Sequence, residues 1–338
     1  MIALVVTAFM WLLFACLLVL RRGRAERNVT YAALTIAFAT TLNVDPVYRT
    51  LDGLVGGSNL TTLVADLALM CGVFFLGRGV TRAFEHQPQP IRFALSRVAL
   101  FVTLGCALAA FLLIDHGQTT TNFMLDLGAQ PAAAAYSAIQ FAYYGIVLTT
   151  MAVLAARQFR ISEGMQALSP ALLVAGSILG VLLSVVVIAM DVAHVAGDLS
   201  MMSTIDVVYS PLYLMTFLFL CLGFAGGPAA RTAQAHSRER KARMLAGELS
   251  PMWAAATKAR PGISQNESLA FHPHEPETLL HRQVVEIRDA MIDTRVSFEI
   301  SDRDRELLER AERHLLGADL AGFTSKSSQA TVHHGHRR

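Results

Sequence analysis

The sequence predicts an all-α protein: a polytopic membrane helix bundle of about seven transmembrane helices, followed by a small helical cytosolic domain. Three observations predict it. Seven long apolar runs fill residues 1–226 of the 338-residue chain. Charged residues make up only 16% of the composition, where soluble domains carry about a quarter. More than half of all charges, 17 Lys+Arg and 15 Asp+Glu, lie from Gly227 onward, which separates a lipid-embedded body from a polar C-terminal region.

A helix rises about 1.5 Å per residue and needs about 20 residues to cross the hydrocarbon. The runs at about 2–20, 29–44, 60–77, 98–114, 134–156, 171–190 and 206–225 meet or approach that length. The first run has no basic residues ahead of it and a basic cluster behind it. That is the reverse of a secretory signal, so a retained helix is expected. Arginines mark alternate turns: Arg21, Arg22, Arg24 and Arg27, then Arg78, Arg82, Arg92 and Arg97, then Arg157 and Arg160. The intervening turns hold only Arg49. The positive-inside rule then places the basic turns in the cytosol of a bacterial plasma membrane. The N-terminus falls outside, the C-terminal domain inside, and the number of crossings is odd. Cys16, Cys71, Cys106 and Cys221 each lie in an apolar run without a CxxC or His partner, so no disulfide, metal centre or cofactor is expected.

Polar residues inside the runs are the candidates for function, because charged groups in lipid are costly. Asp66, about two turns into the third run, is either an ion or proton site facing the bundle or an interfacial carboxylate favoured by the positive end of its helix. In the fifth run Ser137, Gln140 and Tyr144 share one helical face. Such groups seek neighbouring helices or a wet cavity. The seventh run holds Pro211 between Tyr209 and Tyr213, where a kink is expected. Asp66, Gln140, Tyr144 and Tyr209 are therefore the candidates to line a transport path. At the far end of the sixth run, Asp191, His194 and Asp198 fall at i, i+3 and i+7 and are candidates for an outer-face ion site, or else a solvated loop. Gly176, Gly180 and Ser184 form a small-residue stripe that lets helices pack closely, within one chain or between two.

Gly226, Gly227 and Pro228 are expected to end the last crossing. A basic helix and linker follow over 227–268, and Pro261, Gly262, Pro273 and Pro276 mark a loop. A helical-hairpin domain is expected over 269–322. In its first helix Leu280, Val284, Ile287 and Met291 repeat at helical spacing. Its second opens on Ser301 and Asp304 as a capping box, carries Leu308, Ala311 and Leu315 as its stripe, and stops at Gly317. Each stripe must be buried, most economically against the other in a hairpin, or else in a homodimer, against a cytosolic protein partner or on the membrane body. Residues 323–338 are expected to be disordered.

The stretch LSPMW followed by LLHRQVVEIRDAMID resembles the C-terminal domain of unknown function in an actinobacterial family of integral membrane proteins often assigned as transporters. Members of that family also carry about seven N-terminal membrane helices, so the layout matches over most of the chain. By motif the resemblance covers about 249–320, and VVEIRDAM carries it most closely, with Glu286, Arg288 and Asp289 at the family's acidic–basic–acidic positions. His281 departs from the pattern, standing where the family more often shows an aromatic or basic residue. The resemblance implies transport but supplies neither a substrate nor site residues. Read from the residues alone, these are flanking charges on an amphipathic helix.

No G-x-x-x-x-G-K-[ST], H-E-x-x-H or G-x-S-x-G motif occurs, so the chain is not expected to be an enzyme. The balanced charge of the C-terminal region argues against nucleic acid. The expectation is a transporter of a small solute. The alternative is a sensor or scaffold that couples an outer signal to a cytosolic partner through the C-terminal helices.

Overall fold

A computed structural model describes residues 2–20, 27–81, 89–116, 119–121, 123–162, 164–260, 275–295 and 297–317. Every regular element among them is helical. The chain forms two units, Met1–Arg231 and Thr232–Arg338.

In the first unit each of the seven apolar runs is a helix: α1 (Ile2–Leu20), α2 (Arg27–Leu42), α4 (Leu60–Thr81), α6 (Arg97–Leu112), α8 (Pro131–Ile161), α9 (Leu168–Val195) and α10 (Leu199–Ala259). Three short helices sit in the connections: α3 (Asp45–Leu54), α5 (Gln89–Ala94) and α7 (Phe123–Leu127). Among the described residues, α4, α8, α9 and α10 are long and apolar enough to cross a membrane, and α1 and α6 contain shorter apolar stretches. The surface tells the same story. Leu12, Val19, Phe101, Leu112, Val185 and Val207 are all more than half exposed. A soluble bundle rarely presents so much apolar surface, whereas a lipid-facing one must. The protein is membrane-embedded.

The core runs through α1, α2, α4, α6, α8 and α10, with α9 packed along α8. Trp11 Nε1 donates to Thr41 Oγ1 (3.0 Å), tying α1 to α2. Gly176 of α9 lies so close to α10 that a Cβ there would meet the Leu220 backbone nitrogen at 2.9 Å. One turn from Leu220, a Cβ on Gly223 would meet the Leu173 backbone nitrogen at 3.0 Å, so the approach is reciprocal. A Cβ on Gly180 would meet Leu148 of α8 and Thr216 of α10, and the Ser184 hydroxyl donates to the Gly180 carbonyl (2.9 Å). The small-residue stripe thus seats α9 against α8 and α10 within one chain.

The helix of the last run does not break at its glycines and proline. α10 runs through Gly226, Gly227 and Pro228 without a break. Proline in a membrane helix is tolerated when neighbours satisfy the backbone it disturbs. Here Ser169 Oγ donates to the Gly223 carbonyl (2.7 Å), just before the point of disturbance. Pro211 likewise lies within the unbroken helix.

In the second unit, the part of α10 from Thr232 packs with α11 (Pro276–Ile292) and α12 (Asp302–Leu316). Leu245, Leu249, Met252 and Ala256 repeat along one face of α10 and meet Leu280, Val284 and Ile287 of α11 and Leu308 and Ala311 of α12. The expected hairpin is therefore two walls of a three-helix core, and the basic segment supplies the third. Ser301 caps α12 as expected, its Oγ accepting from the Asp304 N–H (3.2 Å). The expected tail over 323–338 and the histidines His272 and His274 lie outside the described residues.

Candidate functional site

Asp66, Gln140, Tyr144 and Tyr209, chosen from three different runs, line one cavity of about 320 Å³ in the first unit. That volume is at the small end of the usual range for ligand pockets, roughly 300–1,000 Å³. The cavity occupies the end of the bundle where α2 passes to α3 and where α7 leads into α8. Asp45 and Asn43, both exposed, contribute at the α2–α3 junction. The lining runs from Tyr136 to Tyr144 along α8 and from Tyr209 to Tyr213 along α10, about 12 Å and about 6 Å at 1.5 Å per residue.

Asp66 organises the middle of the lining. Its Oδ2 accepts from the Tyr136 hydroxyl (2.8 Å) and from Gln140 Nε2 (3.3 Å). Tyr136 and Gln140 lie one turn apart on α8, so a single helix face delivers both donors. Among the described residues Oδ1 accepts no hydrogen bond, and no Lys, Arg or His pairs with this carboxylate. One turn beyond Gln140, and so deeper, the Tyr144 hydroxyl is buried and makes no hydrogen bond. Tyr209 and Tyr213 stack on α10 with ring centroids 5.8 Å apart. Tyr136 and Tyr48 belong to this lining without having been expected from the sequence, and Tyr213, expected only as a flank of Pro211, joins them. Tyr136 stands at i−4 to Gln140, and that spacing was the signal available.

A second polar cluster holds the cavity's rim. Asp52, fully buried, accepts from the backbone N–H groups of Asn59 (3.1 Å) and Thr61 (3.3 Å) and from Thr119 Oγ1 (2.7 Å). It thereby folds the tight turn over Gly56, Gly57 and Asn59, all at positive φ, onto the start of α4. The Asn59 Oδ1 accepts from the Tyr48 hydroxyl (2.9 Å) and from the Thr120 N–H (2.9 Å), joining the segment before α7 to the same turn. Burial pushes the Tyr48 phenol up from its ordinary value.

The outer-face ion candidates do not assemble. Among the described residues no three His, Cys, Asp or Glu side chains come together to hold a metal, Asp191, His194 and Asp198 included. The reason is local. α9 ends at Val195 and Gly197 turns at positive φ, so the helical spacing does not carry to position 198. Asp198 instead caps α10, its Oδ1 accepting from Met201 N–H (2.9 Å) and Ser200 Oγ (2.8 Å). The Met201 and Ser200 bonds hold its carboxyl below the usual range. Asp191 is buried with Oδ2 unpartnered, and His194 packs against Gly128.

In the second unit the Glu286, Arg288 and Asp289 motif is an architectural tie. Glu286, buried, accepts from Trp253 Nε1 of α10 and from Arg282 Nε (2.8 Å). Arg288 grips Glu312 of α12 with two hydrogen bonds (2.6 and 2.8 Å), and that carboxylate raises the Arg288 guanidinium further above its ordinary value. Asp289 is exposed, and its carbonyl accepts from Asp293 N–H (3.2 Å) at the end of α11. Glu286→Ala removes the carboxylate that accepts from the Trp253 indole and from Arg282 Nε. We expect it to destabilise the unit by about 2 kcal/mol, read as roughly 30-fold faster amide exchange of α11 in the full-length protein.

Residues 235–329 match a family of unknown function, DUF6545. The match takes in Trp253, Glu286, Arg288 and Glu312, and it coincides with the second unit rather than with the cavity. No curated protein and no solved structure matches the chain.

Proposed function

We propose that the first unit binds a small solute in the Asp66 cavity and transports it across a bacterial plasma membrane. In this reading all seven apolar helices cross the bilayer. The cavity opens on the outer side, and the Thr232–Arg338 unit lies in the cytosol, as the arginine-rich turns require. The observation that supports it is a buried-edge carboxylate with one oxygen unengaged, set in a cavity that penetrates the bundle. Intramembrane acids are costly and rare, and those facing an internal cavity mark substrate or ion pathways. A sensor or scaffold role ranks second. Its support was a pair of open amphipathic helices, and the stripes of α11 and α12 are already buried within their own unit.

The test is a solute screen on the purified full-length protein, followed by uptake into proteoliposomes. At least one solute should raise the unfolding temperature of the native protein, and Asp66→Asn should cancel that shift while preserving fold by circular dichroism. The same solute should enter native proteoliposomes and not Asp66→Asn ones. A stabilising solute that never crosses the bilayer would instead favour the sensor.

A further inference from the structure

We infer that the Asp66 cavity is a site for a small organic ammonium ion. This rests on the binding role proposed above and names the ligand class. Charge is the first argument. The lining carries two carboxylates, Asp45 at the junction and Asp66 deeper, and among the described residues no Lys, Arg or His lines it. An anionic ligand would meet uncompensated repulsion there, and a cation would meet attraction from the mouth inward. Aromatic surface is the second. Tyr48, Tyr136, Tyr144, Tyr209 and Tyr213 all line the space. The electron-rich faces of such rings attract ammonium groups, and clusters of them recognise quaternary and alkyl ammonium ions.

Unmet hydrogen bonding is the third argument. The hydroxyl of Tyr144 (6% exposed) lines the cavity without a partner. A buried hydroxyl without a partner is costly, and an N–H from a ligand would satisfy it. Asp66 Oδ2 is already occupied by Tyr136 and Gln140, which fixes the carboxylate and leaves Oδ1 for the ligand's charge. Leu69 and Phe141 give apolar wall for the ligand's carbon. A bare hard metal ion fits less well. Calcium takes six to eight oxygen ligands and magnesium near-ideal octahedral ones, whereas the two acids here come from separate elements and no third joins them.

The full-length protein in nanodiscs is titrated calorimetrically with matched probes. Choline is set against its isostere in which carbon replaces nitrogen, butylamine against butanol and butyrate, and potassium chloride serves as the inorganic arm. At least one ammonium probe should bind about 30-fold more tightly than its uncharged match. Asp66→Asn should erase that difference. Tyr209→Leu, at a half-buried position, should weaken the ammonium probe and spare the uncharged one, which keeps the test valid if Asp66→Asn misfolds. Equal binding of the uncharged match, tighter binding of butyrate or potassium, or no ammonium binding at millimolar concentration each overturns the assignment. Uptake of the same probes separates the two levels. Ammonium binding without uptake upholds the site and removes transport. Asp66-dependent uptake of an uncharged or acidic solute upholds transport and overturns the ammonium class.

Discussion

Gly176→Val is expected to destabilise the first unit by about 3 kcal/mol, at the upper end of what overpacking costs. The glycine faces backbone rather than the tip of a side chain. Its missing Cβ would stand 2.9 Å from the Leu220 nitrogen, and the Gly223–Leu173 approach on the other side of the same contact is equally close. No rotamer change relieves a collision with backbone, so α9 and α10 must separate. Gly180→Ala provides the contrast. Its nearest obstacle is Leu148 Cδ1, the end of a flexible side chain, so a shift well under half as large is expected. Unfolding of both variants in detergent, followed by circular dichroism, measures the difference. Equal losses would show that the two helices are not held at backbone distance.

The second large effect is expected at Asp52. Asp52→Ala removes the acceptor for three hydrogen bonds in a fully buried position and leaves two backbone N–H groups and the Thr119 hydroxyl without it. The loss should be about 3–5 kcal/mol, since hydrogen bonds to a charged group are worth more than neutral ones and orphaned buried donors add their own cost. Asp52 does not line the cavity, but the turn it holds places Asn59 against the Tyr48 hydroxyl, and Tyr48 with its partner Thr62 does line it. Ligand affinity should therefore fall in Asp52→Ala even at temperatures where the protein remains folded. A variant with lowered melting temperature and native affinity would show that the rim and the cavity are independent.

The helices of the first unit were legible because lipid imposes length and apolarity at once, and residues such as Leu12 or Val185 announce both. The short helices α3, α5 and α7 were not, because they are brief and sit among turn residues such as Pro46 and Gly128. Asp66, Gln140, Tyr144 and Tyr209 could each be chosen as a polar residue out of place in lipid. Their convergence could not, because it depends on which helices are neighbours. Asp52 read as one more acid in a loop, and nothing local says that Thr119 lies against it. In the second unit the stripe Leu245, Leu249, Met252 and Ala256 has the same spacing as Leu280, Val284, Ile287 and Met291. Its burial is hidden in the sequence because Arg238, Arg240, Lys241 and Arg243 sit beside it and give the segment the look of a basic helix and linker. Gly226, Gly227 and Pro228 suggest a break that α10 does not make, because a neighbouring side chain, Ser169, engages the backbone there.

The bond from Tyr136 to Asp66 spans 70 residues of chain. A ribosome therefore delivers α4 to the translocon well before α8 exists. During that interval Asp66 has neither Tyr136 nor Gln140 to hold it, and an acid at the centre of an inserting helix costs about 2.5–3.5 kcal/mol, less near an end. The strongly apolar remainder of α4 must carry it through. Truncated nascent chains that stop short of residue 136 should accordingly show α4 less completely integrated than chains that include α8, and Asp66→Asn should narrow that gap.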